Sequence, residues 1–463
     1  MNRPIIAYTP VVLFLFLILT EPNFMKDINI DGGLAPIELS ERVTSLDVMR
    51  GIVLCGILLM NINGFGLSGA YNDPTVSGGA EGWNLGAWIA SNLFFEGTMR
   101  ALFSLLFGVG MYILLDRFEK KNAGIKAADI YFRRLLWLLF FGLVHGYLLL
   151  WRGEILYEYA LMGFFVYSFR KISSKYLVMI AVFLFSIGSL WSYVDYRKDV
   201  AMIEQVALAE TYKDQGTPLT KPMKDAVSRW EQKQYERSQE FIDFEQESMR
   251  KGYVDVVIYL APINTFFNTF FPYRYDLWDI LPMMLLGMAL FKWRVLSGEK
   301  PYGFYSLMVL FGYGVGFLVN FYEISSIIES DFSYLGFSKT NMTYDLGRVP
   351  VAMGHIGMIM MFSKIPILGW LKHSLAAVGK MALTNYMMHS VICMFVFTGV
   401  GFGLFGKLER FELLYVVFSI WIFQMILSPI WLKYFHFGPI EWVWRRLSYL
   451  QKPPFRKELG SHA

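Results

Sequence analysis

Cysteine is scarce: the 463-residue chain has two, Cys55 and Cys393, both inside apolar runs and without a Cys-x-x-Cys or Cys/His spacing. Neither a disulfide framework nor a zinc site is expected, and no other metal-ligand set is visible. A concentrated basic stripe is missing too. Net charge is only +4 and the Lys and Arg residues scatter among loops, so the charge speaks to membrane orientation and no nucleic-acid partner is expected. There is no internal repeat and no low-complexity tract. Gly108 and Gly110 follow no strand, which removes a phosphate-loop reading and leaves them as packing positions. What the chain has in abundance is apolar surface: 55% hydrophobic and 17% aromatic residues. Several runs reach about 20 residues, the length a hydrocarbon core demands. The fold class this predicts is an all-α polytopic membrane bundle.

Apolar runs between charged loops predict ten spans, near 46–66, 88–116, 132–151, 154–170, 176–194, 275–292, 302–322, 345–363, 378–400 and 412–433. Basic residues recur after every second one: Arg117 to Arg134, Arg170 to Lys175, Lys292 to Lys300, Lys364 to Lys380, and Arg445 to Lys457. The positive-inside rule puts those loops in the cytoplasm. Loops 67–83 and 323–344, with Asp73, Glu81, Glu323, Glu329, Asp331 and a single lysine, fit the outer face. The segment "YTPVVLFLFLILT" at 8–20 is read as an uncleaved helix, beside the alternatives of a signal peptide or an interfacial anchor, for about 10 to 11 membrane helices in all. Residues 196–250 mix both charge signs with helix formers and read as an outer, extramembrane helical hairpin. The aromatic, Asn-dotted stretch 253–271 is expected to lie in the interface or to re-enter. The resulting division is 1–40 hydrophobic segment and linker, 41–195 first transmembrane half, 196–252 insert, 253–450 second transmembrane half and 451–463 cytoplasmic tail.

Polar groups inside these runs carry the functional signal. Arg50 and Asn61 are eleven residues apart, about 1100° or roughly 20° of net rotation, so they share a helix face about 16 Å apart along the axis. Asp47 lies three residues before Arg50 on the same side and can pair with it. The stripe reads either as part of a hydrophilic path or as an interfacial anchor plus one interhelical bond. His145, near the outer end of the third run, can exchange a proton near neutral pH, and Glu154 can orient it if the hairpin folds back. A histidine satisfied by a backbone carbonyl is the plainer alternative. Arg152 sits at the same turn. In "VGKMALTNYMMHSVICMFVF", Asn385 and His389 share a face at i, i+4, with Thr384 and Ser390 close by; a polar seam between helices competes here with direct catalysis. Glu96 and Arg100, also four apart, read as an outer-half ion pair.

Together these motifs resemble the bacterial YeiB-like family of multi-pass membrane proteins. The resemblance runs through Arg42 to Gly51, Leu58 to Ile62, Leu102 to Gly110, His145 to Leu156, Lys380 to Tyr386 and "GPIEWVWRRLSY" at 438–449. Glu154 stands where the family usually shows Asp and Lys380 replaces its Arg, both keeping charge; the hydrophobic leader and the long insert are not required by the pattern. That family is similar, more distantly, to the lysosomal heparan-sulfate glucosamine N-acetyltransferase and to bacterial O-acyltransferases. The similarity implies a multi-pass protein of the bacterial inner (plasma) membrane. It would move an acyl group, acetyl foremost, from cytoplasmic acyl-CoA to a cell-envelope sugar or lipid. The O-acyltransferases place a catalytic histidine at the position of Asn61, and the lysosomal enzyme's histidine has no counterpart between Asn61 and Trp83. His145 is therefore the expected base, with Glu154 behind it and Asn61 as an oxyanion donor, worth about 3 kcal/mol when well placed. Arg50 and Arg134 would hold CoA phosphates, while Asp47, Arg100, Arg152, Asn385 and His389 complete the expected binding set. Self-association as a homodimer is left open, and a transporter or channel for a small solute is the alternative function.

Overall fold

The computed structural model describes residues 44–69 and 73–457; the 8–20 segment, Arg42 and the last residues of the tail lie outside the described residues. The described chain is all-helical. Seven of its helical segments are long and apolar enough to cross a membrane.

The first helix, α1 (Thr44–Gly66), is buried on almost every side, as expected for a helix apolar all round. Its 23 residues rise roughly 35 Å, enough for the hydrocarbon slab. The expected second span proves to be two helices, α2 (Gly82–Phe94) and α3 (Thr98–Lys120). They are broken where Gly97 adopts φ +62°, a conformation that costs a residue without Cβ little. A side chain there would also collide with the Tyr344 hydroxyl. α4 (Gly124–Tyr147) and α5 (Leu156–Phe169) form the next hairpin. The fifth span does not stop at the membrane surface: α6 (Ser174–Asp214) runs unbroken for 41 residues into the insert, where α7 (Lys221–Tyr235) folds back on it and α8 (Gln239–Met249) follows.

The 253–271 stretch is helical throughout, as α9 (Tyr253–Thr269). It passes through a wide turn at Pro272–Asp276 into α10 (Leu277–Lys292) without an intervening loop. The second half continues with α11 (Tyr302–Glu329), a short α12 (Tyr334–Thr340), α13 (Tyr344–Lys364) and α14 (Gly369–Lys380). α15 (Ala382–Phe397), α16 (Leu413–Tyr434) and α17 (Pro439–Tyr449) complete it. The expected ninth span is interrupted at Met381, which leaves α15 with 16 residues. Of the ten expected spans, the third, fourth and ninth are thus outside the seven long apolar segments. α5 and α15 are short, and Arg133, Arg134 and His145 dilute the apolar run of α4.

Burial separates the helices into a centre and a periphery. α1 and α3 lie inside, whereas α6 and α11 show apolar residues outward: Leu310 is 66%, Phe311 65% and Leu318 73% exposed. A continuous apolar surface of that kind needs lipid around it. Inside the bundle small residues bring backbones together. Gly108 of α3 lies against the Met284 backbone of α10, and Gly287 of α10 against the Leu105 backbone of α3. Gly110 instead faces the Arg50 guanidinium. The insert is pinned to the outer loops by Arg152 to Glu245 (2.6 Å), by an Arg237–Asp73 ion pair, and by Arg250 Nε donating to the Phe405 carbonyl (2.9 Å).

Candidate functional site

α4 ends at Tyr147, and the turn that follows, with Leu150 at φ +60°, returns the chain to α5. Glu154 sits just ahead of α5, where the first-turn N–H groups have no helical partner. It accepts from both the Leu156 and the Tyr157 amides, so its carboxylate is held by the positive end of the helix. Gly142, one turn before Gly146, leaves room for that carboxylate and for the Tyr157 backbone. The other Glu154 face reaches His145: Oε1 lies 3.4 Å from Nδ1. On the far side of the ring, Nε2 lies 2.6 Å from Ser390 Oγ of α15. The Tyr386 ring, one turn earlier on α15, meets the imidazole edge-on at 4.8 Å between centroids. All of this is buried, with His145 0%, Ser390 1% and Glu154 4% exposed. Asn264 of α9 closes the end by donating to the Gly146 carbonyl at 2.7 Å.

The geometry is that of a base flanked by an orienting carboxylate and a hydroxyl. A carboxylate that already accepts two backbone N–H bonds is an acceptor toward Nδ1, which places the imidazole proton on Nδ1 and the lone pair on Nε2. Ser390 is then the donor to His145.

The other expected site residues fall into separate groups. Arg50 pairs with Asp47 at 3.0 Å near the start of α1, as the spacing predicts. Asn61 is half-buried, and its side chain has no hydrogen bond among the described residues. It lies one turn before Gly64 and Phe65, which line a small pocket with Trp151, Arg152, Cys393 and Met394. Arg134 stacks on Trp444 of α17, its guanidinium carbon 3.9 Å from the ring centroid, and so ties α4 to the C-terminal helix. Arg152 belongs to the insert latch and also donates to the Leu67 carbonyl. Asn385 and His389 make the polar seam between α15 and α16. Asn385 Nδ2 reaches Ser428 Oγ at 3.1 Å, and His389 Nε2 lies 2.9 Å from Gln424 Oε1.

The expected Glu96–Arg100 pair is a correction. Because the helix breaks at Gly97, the i, i+4 geometry is lost, and Arg100 pairs with Asp279 of α10. Asp279 also accepts from the fully buried Arg348 of α13, whose Nε donates to Asp345 at 2.7 Å. This network is one the sequence reading overlooked, although Asp345 and Arg348 repeat the Asp-x-x-Arg spacing of Asp47 and Arg50. It borders an outer pocket of about 160 Å3 whose polar lining includes Asn63, Asn92, Glu96, Glu323, Asn341 and Arg348. Ser390 was visible as part of a polar patch, but the direction of its hydroxyl was not. Among the described residues, no group of three or more His, Cys, Asp or Glu side chains is placed to hold a metal ion.

The Bacillus subtilis (strain 168) protein YxaH is 30% identical over 454 residues, spanning 92% of this chain and 99% of its own. The chain belongs to the YeiB-like family. Escherichia coli (strain K12) YeiB is 28% identical over 416 residues, 88% of this chain and 96% of its own. A 39.9 kDa protein of Bacillus acidopullulyticus, named for its place in an amylase 3' region, is 28% identical over 437 residues, 90% and 97% respectively. The family model described as "Protein of unknown function (DUF418)" matches residues 290–451, from the end of α10 to just past α17. No solved structure matches this YeiB-like chain. The triad-like constellation spans the two parts, since His145 and Glu154 precede the matched segment and Ser390 lies within it.

Proposed function

We propose that this protein is a membrane acyltransferase of the bacterial plasma membrane, transferring an acyl group from acyl-CoA to a hydroxyl or amine of a cell-envelope acceptor with His145 as the base. One observation carries the reading: an imidazole excluded from water, oriented by Glu154 on one nitrogen, presents the other to a hydroxyl at 2.6 Å. Acyl transfer needs that arrangement, because the attacking group must lose its proton as it reaches the thioester carbon and the leaving thiolate must regain one. Asn61, whose amide is uncommitted, supplies the donor for the developing oxyanion from the α1 side. Arg50, half-buried at the opposite end of α1 and bonded to Asp47, suits the phosphates of a donor arriving from the cytoplasm. Arg134 is engaged with Trp444 and has the lesser part.

Purified protein in detergent should release CoA from acetyl-CoA, and His145→Ala should lose at least about 100-fold of that rate while eluting as the same folded species. Wild-type turnover that survives His145→Ala overturns the assignment. A carrier of a small polar solute is the second reading, favoured by the outer pocket beside the Arg100–Asp279–Arg348 network. Counterflow of a solute in liposomes free of CoA, lost on changing Arg348 and kept on changing His145, would support it instead.

A further inference from the structure

We infer that Ser390 is the nucleophile of this site and carries the acyl group as an ester between donor and acceptor; the inference rests on the acyl-transfer reading above. Serine hydroxyls in apolar helices ordinarily turn back to the carbonyl four residues earlier. Five helical serines among the described residues do so: Ser104 to Arg100 (2.8 Å), Ser186 to Val182 (2.9 Å), Ser363 to Ile359 (2.8 Å), Ser419 to Tyr415 (2.7 Å) and Ser448 to Trp444 (2.6 Å). Ser390 makes no such bond among the described residues. Its Oγ is aimed across the bundle at His145 Nε2, while Glu154 holds Nδ1. Nucleophile, base and orienting carboxylate thus come from α15, α4 and the turn before α5, the relation by which hydroxyl nucleophiles are activated on unrelated folds. Cys393 and Met394, one turn beyond Ser390, line the small pocket shared with Gly64 and Trp151.

In the first half-reaction Oγ attacks the thioester carbonyl carbon and its proton passes to His145 Nε2. The C–S bond then breaks, and CoA leaves as the thiol with that proton. In the second, a hydroxyl or amine of the acceptor attacks the seryl ester, its proton passes to Nε2, and Ser390 leaves with it as the free hydroxyl. No oxidant, reductant or further reactant enters.

The test is to mix the full chain with isotope-labelled acetyl-CoA, quench in acid and map the label. The expected result is label on the peptide containing Ser390, stable to neutral hydroxylamine and released by alkaline hydroxylamine as an oxygen ester should be, and a stoichiometric burst of CoA. Ser390→Ala should lose both, and Ser390→Cys, which keeps volume and a nucleophile, should hold the label as a thioester. If Ser390→Ala keeps wild-type turnover while His145→Ala does not, the covalent step is wrong and direct transfer by His145 stands. If the alanine variant does not fold, a folded Ser390→Cys protein without adduct is equally decisive against the step. Wild-type protein that neither releases CoA nor takes up label overturns this inference and the acyltransferase reading together.

Discussion

His145 and Ser390 meet at 2.6 Å although 245 residues separate them in the chain. The contact joins α4 to α15 across the middle of the bundle, and the Tyr386 ring packs on the same imidazole from one turn earlier. A polar contact that links distant segments in an apolar interior fixes their relative rotation, because any other register would leave both groups unsatisfied in hydrocarbon. The same contact therefore serves as a structural clamp and, in the proposed reaction, as the reactive pair.

Glu154→Gln separates these two roles. The amide oxygen can still accept from α5, so the helix start persists, with a loss of about 1 kcal/mol in a thermal melt. Toward Nδ1 the neutral amide no longer fixes the tautomer or stabilises the imidazolium. CoA release should fall by about 100-fold or more. A variant that melts early yet turns over normally would show Glu154 to be a cap alone.

The close approach of α3 and α10 makes a second prediction. Leucine at Gly108 or Gly287 must push apart two backbones already in contact, which costs about 1–3 kcal/mol. Gly314→Ala, with open space around it, should not lower the melt. Equal stability of all three proteins in detergent would contradict the packing described.

How much of this was legible in the sequence follows from which signals are local. The all-helical class and most spans are, because every backbone polar group in lipid must be satisfied within its own helix and long apolar runs announce that. His145 and Glu154 stood out because ionisable groups are rare in such runs. The breaks at Gly97 and Met381 were hidden, since apolar residues resume shortly after both and the charges beside them, Glu96 and Lys380, fit a continuous helix as well. So was the partner of Arg100: Asp279 and Arg348 lie near the ends of their runs, where charge reads as an interfacial anchor. The aim of the Ser390 hydroxyl is tertiary information, set by which face of α15 meets α4, and no spacing in the sequence encodes it.

The buried charges around Asp279 give a third prediction. Arg348 is 1% exposed and bonds both Asp279 and Asp345, so Arg348→Met leaves two carboxylates short of their counter-charge. Removing one partner of a buried pair costs about 3–5 kcal/mol, far more than the pair itself contributes. Combining Arg348→Met with Asp345→Leu should restore part of the loss, since Asp279 keeps Arg100 as a partner. A double variant as unstable as the sum of the single ones would show that the two residues do not act together.

The last prediction concerns pH and the inner end of the bundle. Glu441, in the first turn of α17, accepts from the Thr384 amide at 3.0 Å and from its hydroxyl, while Thr384 Oγ1 accepts from the Ile440 amide at 3.1 Å. The pair stitches the start of α15 to the start of α17. Burial raises the Glu441 carboxyl above its ordinary value near 4.5, and the Thr384 bonds only partly offset this. In the unfolded chain the group ionises at its ordinary value, so its contribution to stability is greatest below that pH and is lost as pH rises through the raised folded value. Melts taken from about pH 4 to pH 8 should therefore fall more steeply for the wild type than for Glu441→Gln, whose side chain keeps an acceptor for Thr384 and cannot ionise. Parallel curves for the two proteins would mean that the carboxyl is already ionised in the folded state across that range, and that Thr384 holds it as an ordinary charged cap.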